Sequence, residues 1–188
     1  MFIQTEATPN PEVLKFLPGR EVLGEGAREF AGVDDAQASP LAAALFELDG
    51  VTRVFFGPDF LTVTKDPTAE WPHLKAPILA AVMDHFTSGR PLMNDASSDG
   101  HDETAYDGET AQIVAEIKDL LDTRIRPAVA QDGGDITFSK FEPDTGIVWL
   151  HMRGACSGCP SSSATLKAGV ENMLKHYIPE VSRVEQML

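Results

Sequence analysis

The first half of the chain alternates short apolar, β-rich runs with two stretches of helical periodicity. The β-rich runs predict four strands, at 2–6, 13–17, 51–56 and 60–64. Ser39-Pro40 is typical of a helix start and predicts a short helix over 40–47. A second apolar stripe predicts a helix over 77–88, with only a turn before it, because Pro77 interrupts helical hydrogen bonding. Residues 20–38 have weak periodicity and are predicted to form a loop.

The second half has the pattern of a small α-β-β-α-β domain. An apolar stripe predicts a helix over 110–126, which Pro127 ends or bends. A hairpin is predicted from strands 136–142 and 147–153, followed by a helix over 160–176 and a last strand over 181–187. The helix over 160–176 is expected to bury five apolar side chains, Leu166, Val170, Met173, Leu174 and Tyr177. Gln131-Asp-Gly-Gly-Asp135 predicts a tight turn with positive φ at a glycine.

These elements indicate the α+β class, with two small two-layer α/β domains joined by a flexible acidic linker. The domains are predicted at 1–92 and 111–188, and the linker at 93–110. The linker contains six acidic side chains, no basic one, and several Gly and Ser residues. Such a polar, self-repelling segment is typical of an extended tether.

The amino-acid composition excludes several classes of function. The chain has 188 residues, 29 acidic and 15 basic side chains, and a formal net charge of −14. This balance argues against nucleic-acid binding, which needs a basic face. No apolar run approaches the roughly 18–20 residues of a membrane span. Neither a secretory signal nor an Arg-rich transit peptide is visible, so we expect a cytosolic protein or the mature part of an organelle protein.

The two cysteines are the most informative feature of the sequence. Cys156 and Cys159 are the only cysteines and form one Cys-x-x-Cys, which excludes a secreted disulfide framework. They are predicted to lie between a strand and a helix N-terminus, a location that favours thiolate. The surrounding stretch, 145–170, contains Arg153 and Lys167 but no acidic residue. That composition suits an anionic sulfur centre.

Several uses of the pair compete. A thiol–disulfide redox pair occupies a similar location, but it usually has an aromatic residue before its first cysteine, where this chain has Ala155. A structural zinc ion needs four ligands, and the five histidines are scattered. An iron–sulfur cluster is normally held by four thiolates, so two copies of the chain would complete one. An exposed pair without a ligand is the remaining alternative.

Around the two cysteines, and also near its N-terminus, the chain resembles the Nfu-type, NifU-like iron–sulfur proteins. The C-terminal resemblance lies in Gln131-Asp-Gly-Gly-Asp135 and Gly154-Ala-Cys-Ser-Gly-Cys-Pro160, and the N-terminal one in Phe2-Ile-Gln-Thr-Glu-Ala-Thr-Pro-Asn-Pro-Glu12. It covers nearly the whole chain except the linker.

The resemblance implies a scaffold or carrier, not an enzyme, with Cys156 and Cys159 as the metal ligands. A labile [4Fe-4S] cluster would bridge a homodimer, with [2Fe-2S] as the alternative. Its partners would be an upstream assembly scaffold and client apo-enzymes, without nucleic acid or membrane. Because no presequence is visible, we expect the bacterial cytoplasm, with the mitochondrial matrix as the alternative. The thiol–disulfide oxidoreductase is kept as the alternative function.

Other residues have less specific assignments. Arg153 and Lys167 are either cluster-holding or ordinary solvated charges. Asp132 and Asp135 are interpreted as turn residues in preference to metal ligands. Trp149 and His151 share one strand face, which is either core or interface. Three serines after the second cysteine are expected to satisfy the N–H groups at the start of the helix, at Ser161, Ser162 and Ser163.

Overall fold

The computed structural model describes residues 2–94, 106–157 and 160–187, with residues 160–163 described by their backbone alone. The chain divides into two compact units, Met1–Asp99 and Gly100–Leu188. Most of the predicted linker, 93–110, lies outside the described residues. The domain limits read from the charge pattern therefore stay a prediction.

The first unit is an antiparallel sheet with helices, which places it in the predicted α+β class. In chain order its elements are β1 (Gln4–Ala7), β2 (Val13–Leu17), β3 (Arg28–Phe30), α1 (Val33–Ala36), α2 (Pro40–Phe46), β4 (Val51–Phe56), β5 (Leu61–Lys65) and α3 (Trp71–Ser88). The sheet has the strand order β1-β2-β5-β4-β3. The four predicted strands are all present, the first displaced by one to two residues and the last by one residue.

The start of α2 agrees with the sequence-based prediction. Ser39 is its N-cap, and the Ser39 hydroxyl accepts a hydrogen bond from the Ala42 N–H at 3.2 Å. Pro40 occupies the first helical position, where its missing N–H leaves no hydrogen bond unmade. A fully buried Ser39 thus fixes where the helix begins.

Two predictions for this unit were wrong. Residues 20–38 are not only a loop, because β3 and α1 lie within them. Phe30 of β3 is completely buried against Phe56 of β4, with ring centroids 5.1 Å apart. Also, α3 does not begin at Pro77 but runs through it from Trp71. Burial of apolar side chains on both sides of Pro77, at Leu74, Ile78 and Val82, offsets the lost helical hydrogen bond.

The second unit has the predicted α-β-β-α-β order. Its three-stranded sheet has the order β6-β7-β8, with β6 and β7 antiparallel and β7 and β8 parallel. Its elements are α4 (Gly108–Leu120), a π-helical turn (Leu121–Ile125), α5 (Arg126–Gln131), β6 (Gly134–Glu142), β7 (Ile147–Gly154), α6 (Pro160–Tyr177) and β8 (Arg183–Met187).

Pro127 was predicted either to end or to bend the first helix of this unit, and it does not end it, because α5 continues through it. The π-helical turn lies just before it, and there the Arg126 N–H bonds to the Leu121 carbonyl, five residues back. Pro127 then occupies the second position of α5. The wider turn thereby carries the helix past a residue that has no N–H.

The core of the second unit lies between its helices and one face of its sheet. Val148, Leu150 and Met152 of β7 alternate into this core. Trp149 and His151 are half-buried on the other face of the same strand. One part of the predicted buried face of α6 was wrong, since Tyr177 is 48% exposed. No helix in the described ranges has the length and apolar character of a membrane span.

Candidate functional site around Cys156

Cys156 lies in a tight turn directly after β7. The turn begins at Gly154, whose φ of +64° a side chain would strain. The Ser157 hydroxyl and the Ser157 N–H both donate to the Gly154 carbonyl, at 2.9 and 3.1 Å. The Cys156 N–H donates to the Arg153 carbonyl at 3.4 Å. These bonds fix the path of the chain at the first cysteine.

The thiol of Cys156 points to the edge of the core. The residue is only 5% exposed and belongs to the apolar cluster of the second unit. It lies beside Gly134, the first residue of β6. A Cβ built on Gly134 would lie 2.3 Å from the Cys156 Sγ. The sulfur therefore occupies space that a side chain at position 134 would fill.

The turn before β6 supports the cysteine turn through its backbone. Gly133 has a φ of +82°, which confirms the predicted positive φ at a glycine of the Asp-Gly-Gly-Asp segment. In this conformation the Gly133 carbonyl accepts a hydrogen bond from the Ala155 N–H at 3.1 Å. The two turns are thus joined one residue before Cys156.

Asp135 anchors the start of β6 to the helix before it. Arg126 of α5 holds the Asp135 carboxylate with two parallel hydrogen bonds, Nε to Oδ1 at 2.8 Å and Nη2 to Oδ2 at 3.1 Å. The Asp135 side chain is 8% exposed and the Arg126 side chain 33%. The hydrogen bonding of the guanidinium to the Asp135 carboxylate is the main reason that the pKa of Arg126 is raised. Asp135 was predicted to be a turn residue, but it is the second residue of β6, and its carboxylate has a structural role as the partner of Arg126.

The two basic residues predicted near the cysteines have different surroundings. Lys167 of α6 forms an ion pair with Glu185 of β8 at 2.6 Å. The stretch 145–170 has no carboxylate in sequence, but the fold supplies this one from β8. Lys167 is therefore already neutralised by a carboxylate, and a cluster-holding role loses its support. Arg153 is half-buried at the end of β7, opposite Asp135 in the strand register.

Cys159, the second predicted ligand, lies outside the described residues, and so do the side chains of Ser161, Ser162 and Ser163. Within the described residues, no group of three or more His, Cys, Asp or Glu side chains is placed to hold a metal ion. The structure thus locates one half of the predicted Cys-x-x-Cys pair, and the role of both cysteines stays a prediction.

Two features of the site were not predicted from the sequence, the closeness of Gly134 to Cys156 and the ion pair between Arg126 and Asp135. The double glycine of the Asp-Gly-Gly-Asp segment was a signal for the first, because a turn that needs one positive φ does not explain two glycines. Nothing in the spacing of Arg126 and Asp135 distinguished their pairing from that of other surface charges.

Comparison with known proteins shows which family the chain belongs to. The family model for the N terminus of the scaffold proteins Nfu/NifU matches residues 3–89, and the NifU-like domain matches residues 117–185. In Arabidopsis thaliana, NifU-like protein 4, mitochondrial, is 55% identical over 186 residues, 99% of this chain and 66% of that protein. NifU-like protein 5, mitochondrial, of the same plant is 54% identical over 99% of this chain and 68% of its own length.

A third relative is the NFU1 iron-sulfur cluster scaffold homolog, mitochondrial, of Drosophila willistoni. It is 53% identical over 188 residues, which are 100% of this chain and 64% of that protein. The chain thus spans about two thirds of the length of the curated relatives it matches. It belongs to the Nfu-type, NifU-like protein family, which confirms the resemblance seen in its sequence.

Proposed function

We propose that the chain is an iron–sulfur cluster scaffold or carrier. It binds a cluster as cargo through Cys156 and Cys159 and passes the cluster to client apo-proteins. Family membership supports this role, since a relative that matches the whole chain is named an iron-sulfur cluster scaffold homolog. The observation that carries the proposal is that the only two thiols of the chain form one Cys-x-x-Cys, the first cysteine of which lies in the turn directly after β7.

The number of ligands makes the cluster a shared one under this proposal. Clusters are usually held by four thiolates, and one chain supplies two. Two copies of the cysteine turn that meet about a two-fold axis supply the set. Ala155, Ser157 and Gly158 are small and allow two backbones to approach closely. A ligand set divided between two subunits suits release better than permanent storage.

The finer assignments rest on the family resemblance. We propose a [4Fe-4S] cluster bridging a homodimer, with [2Fe-2S] as the alternative, and a carrier rather than an enzyme. The partners are an upstream assembly scaffold and client apo-enzymes. For the compartment, the mitochondrial alternative has more support than the bacterial cytoplasm, because the relatives named above are mitochondrial proteins.

Anaerobic reconstitution with iron and sulfide tests this function. We expect the wild-type chain to gain broad visible absorbance and bound iron. Replacing either thiol, as Cys156→Ser or Cys159→Ser, should abolish both signals because each removes half of the ligands that one chain supplies. The matched control is Ser157→Ala, which changes the same turn but keeps both thiols.

The result that contradicts the proposal is a Cys159→Ser protein that still assembles a cluster with the wild-type spectrum and iron content. Thiol-dependent reduction of insulin by a chain that binds no iron would support the oxidoreductase in its place. These two measurements separate a metal-carrying function from a redox function of the same cysteines.

A further inference from the structure

We infer that Gly134 is a positioning residue for Cys156, and that its missing side chain provides the space in which the thiol is held. A Cβ at this position would lie 2.3 Å from the Cys156 Sγ. It would also lie 2.9 Å from the Arg153 carbonyl oxygen and 3.0 Å from the Cys156 backbone nitrogen. A real Cβ does not approach other atoms so closely, so a residue other than glycine must displace the Cys156 thiol, the backbone of the cysteine turn, or both.

The direction of that displacement follows from what surrounds the sulfur. Cys156 belongs to the apolar cluster of the second unit, which also contains Ile136, Met152 and Val170. This cluster cannot yield space without moving several buried side chains. The clash with a side chain at position 134 is therefore relieved at Cys156 itself, and the thiol moves outward into solvent.

Gly134 itself cannot retreat, because both of its neighbours are fixed. Gly133 is joined to Ala155 through its carbonyl. Asp135 is held by the two hydrogen bonds from Arg126. The Asp-Gly-Gly-Asp segment is therefore a rigid support for Cys156. Gly133 is hydrogen-bonded to the cysteine turn, Gly134 leaves space for the thiol, and Asp135 is held by Arg126.

The consequence for cargo rests on the proposed function. A thiol that the surrounding backbone already holds in one position loses little conformational freedom when it binds a metal. A thiol on a displaced turn has to be ordered first. Gly134 thereby contributes to cluster binding without touching the cluster.

Alkylation of the apo-protein tests the inference without iron. The full-length Cys159→Ser chain leaves Cys156 as the only thiol, and iodoacetamide labelling is followed by intact mass. Adding Gly134→Ala should raise the labelling rate of Cys156 at least about tenfold, because the thiol no longer needs a local opening to reach solvent.

The matched control is Gly146→Ala in the same background. Gly146 has a φ of +67°, and a Cβ there would lie 2.5 Å from the Glu180 carbonyl oxygen, at the far end of β7 from Cys156. This variant also strains the second unit but leaves the cysteine turn intact. Unfolding of both variants is measured from Trp149 fluorescence in a Trp71→Phe background, so that their labelling can be compared at known stability.

Each outcome decides the question. Faster labelling in Gly134→Ala than in an equally destabilised Gly146→Ala supports the inference, and equal labelling overturns it. If Gly134→Ala does not fold, the double variant Gly134→Ala/Cys156→Ala should recover folding, since it removes the closest clash. A double variant that also stays unfolded contradicts the role of the sulfur. Because no iron is present, these results are independent of whether the chain carries a cluster.

Discussion

At the scale of single residues, Arg126 shows how unequal two ion pairs with the same partner can be. Its guanidinium contacts both Asp135 and Asp122, at 2.8 and 2.9 Å. The Asp135 side chain is 8% exposed, whereas that of Asp122 is 62% exposed. Water competes for the second carboxylate but hardly for the first. The buried pair is therefore the one on which the position of β6, and with it Gly134, depends.

Asp135→Asn should lower the free energy of unfolding of the second unit by about 1–3 kcal/mol, because it leaves the Arg126 charge without its buried counterion. Asp122→Asn is the matched control and should change it by less than about 1 kcal/mol, since exposed ion pairs contribute little. Urea unfolding followed by Trp149 fluorescence in a Trp71→Phe background measures both. Equal losses for the two variants would show that burial does not distinguish the pairs.

At the scale of elements, two helices continue through proline by different means. In α4 to α5, the π-helical turn precedes Pro127, and the Arg126 N–H bonds five residues back. In α3, Pro77 is exposed and lies within the helix, where it removes the hydrogen bond that position 77 would donate to the His73 carbonyl. The core stripe of α3 holds the helix together across this gap.

Pro77→Ala should therefore stabilise the first unit, by about 1–2 kcal/mol. The gain from the restored hydrogen bond and the removed ring clash exceeds the entropy that alanine returns to the unfolded chain. Pro72→Ala is the control, because Pro72 lies in the first turn of α3, where no helical hydrogen bond is lost. Urea unfolding is followed by Trp71 fluorescence in a Trp149→Phe background. A Pro77→Ala protein that is less stable than the wild type would contradict this explanation.

These helices also show why some elements were predictable from sequence and others were not. The start of α2 could be predicted, since Ser39 and Pro40 act locally through an N-cap and a fixed φ. The passage of α3 through Pro77 could not be predicted, because tertiary burial outweighed the local helix-breaking signal of the proline. Strand β3 has three residues, too few to show a period of two, and only pairing with β4 defines it.

The candidate site likewise has one part that the sequence predicts and another that only the fold shows. The residue type, spacing and strand-to-helix location of Cys156 follow from local sequence. Its contact with Gly134 does not, because it joins residues 22 positions apart across the start of a sheet. The ion pair of Lys167 with Glu185 likewise depends on parallel pairing of β7 with β8, which brings a carboxylate near a stretch that lacks one in sequence.

At the scale of the whole molecule, the proposed function depends on how many chains are needed to bind one cluster. Each chain has two thiols, both in one Cys-x-x-Cys of the second half of the sequence. A cluster with four thiolate ligands then requires two chains. The net charge of −14 opposes the close approach of two chains, so we expect bonds to the shared cluster to supply the attraction in the proposed dimer.

Native mass spectrometry of the anaerobically reconstituted full-length chain tests this claim most directly. We predict that cluster-bearing protein has the mass of two chains with about four iron ions and their sulfides. Removing the iron with a chelator should return the protein to smaller species. Holoprotein found only as single chains with a complete cluster, and without a small thiol to complete the ligands, would contradict the account.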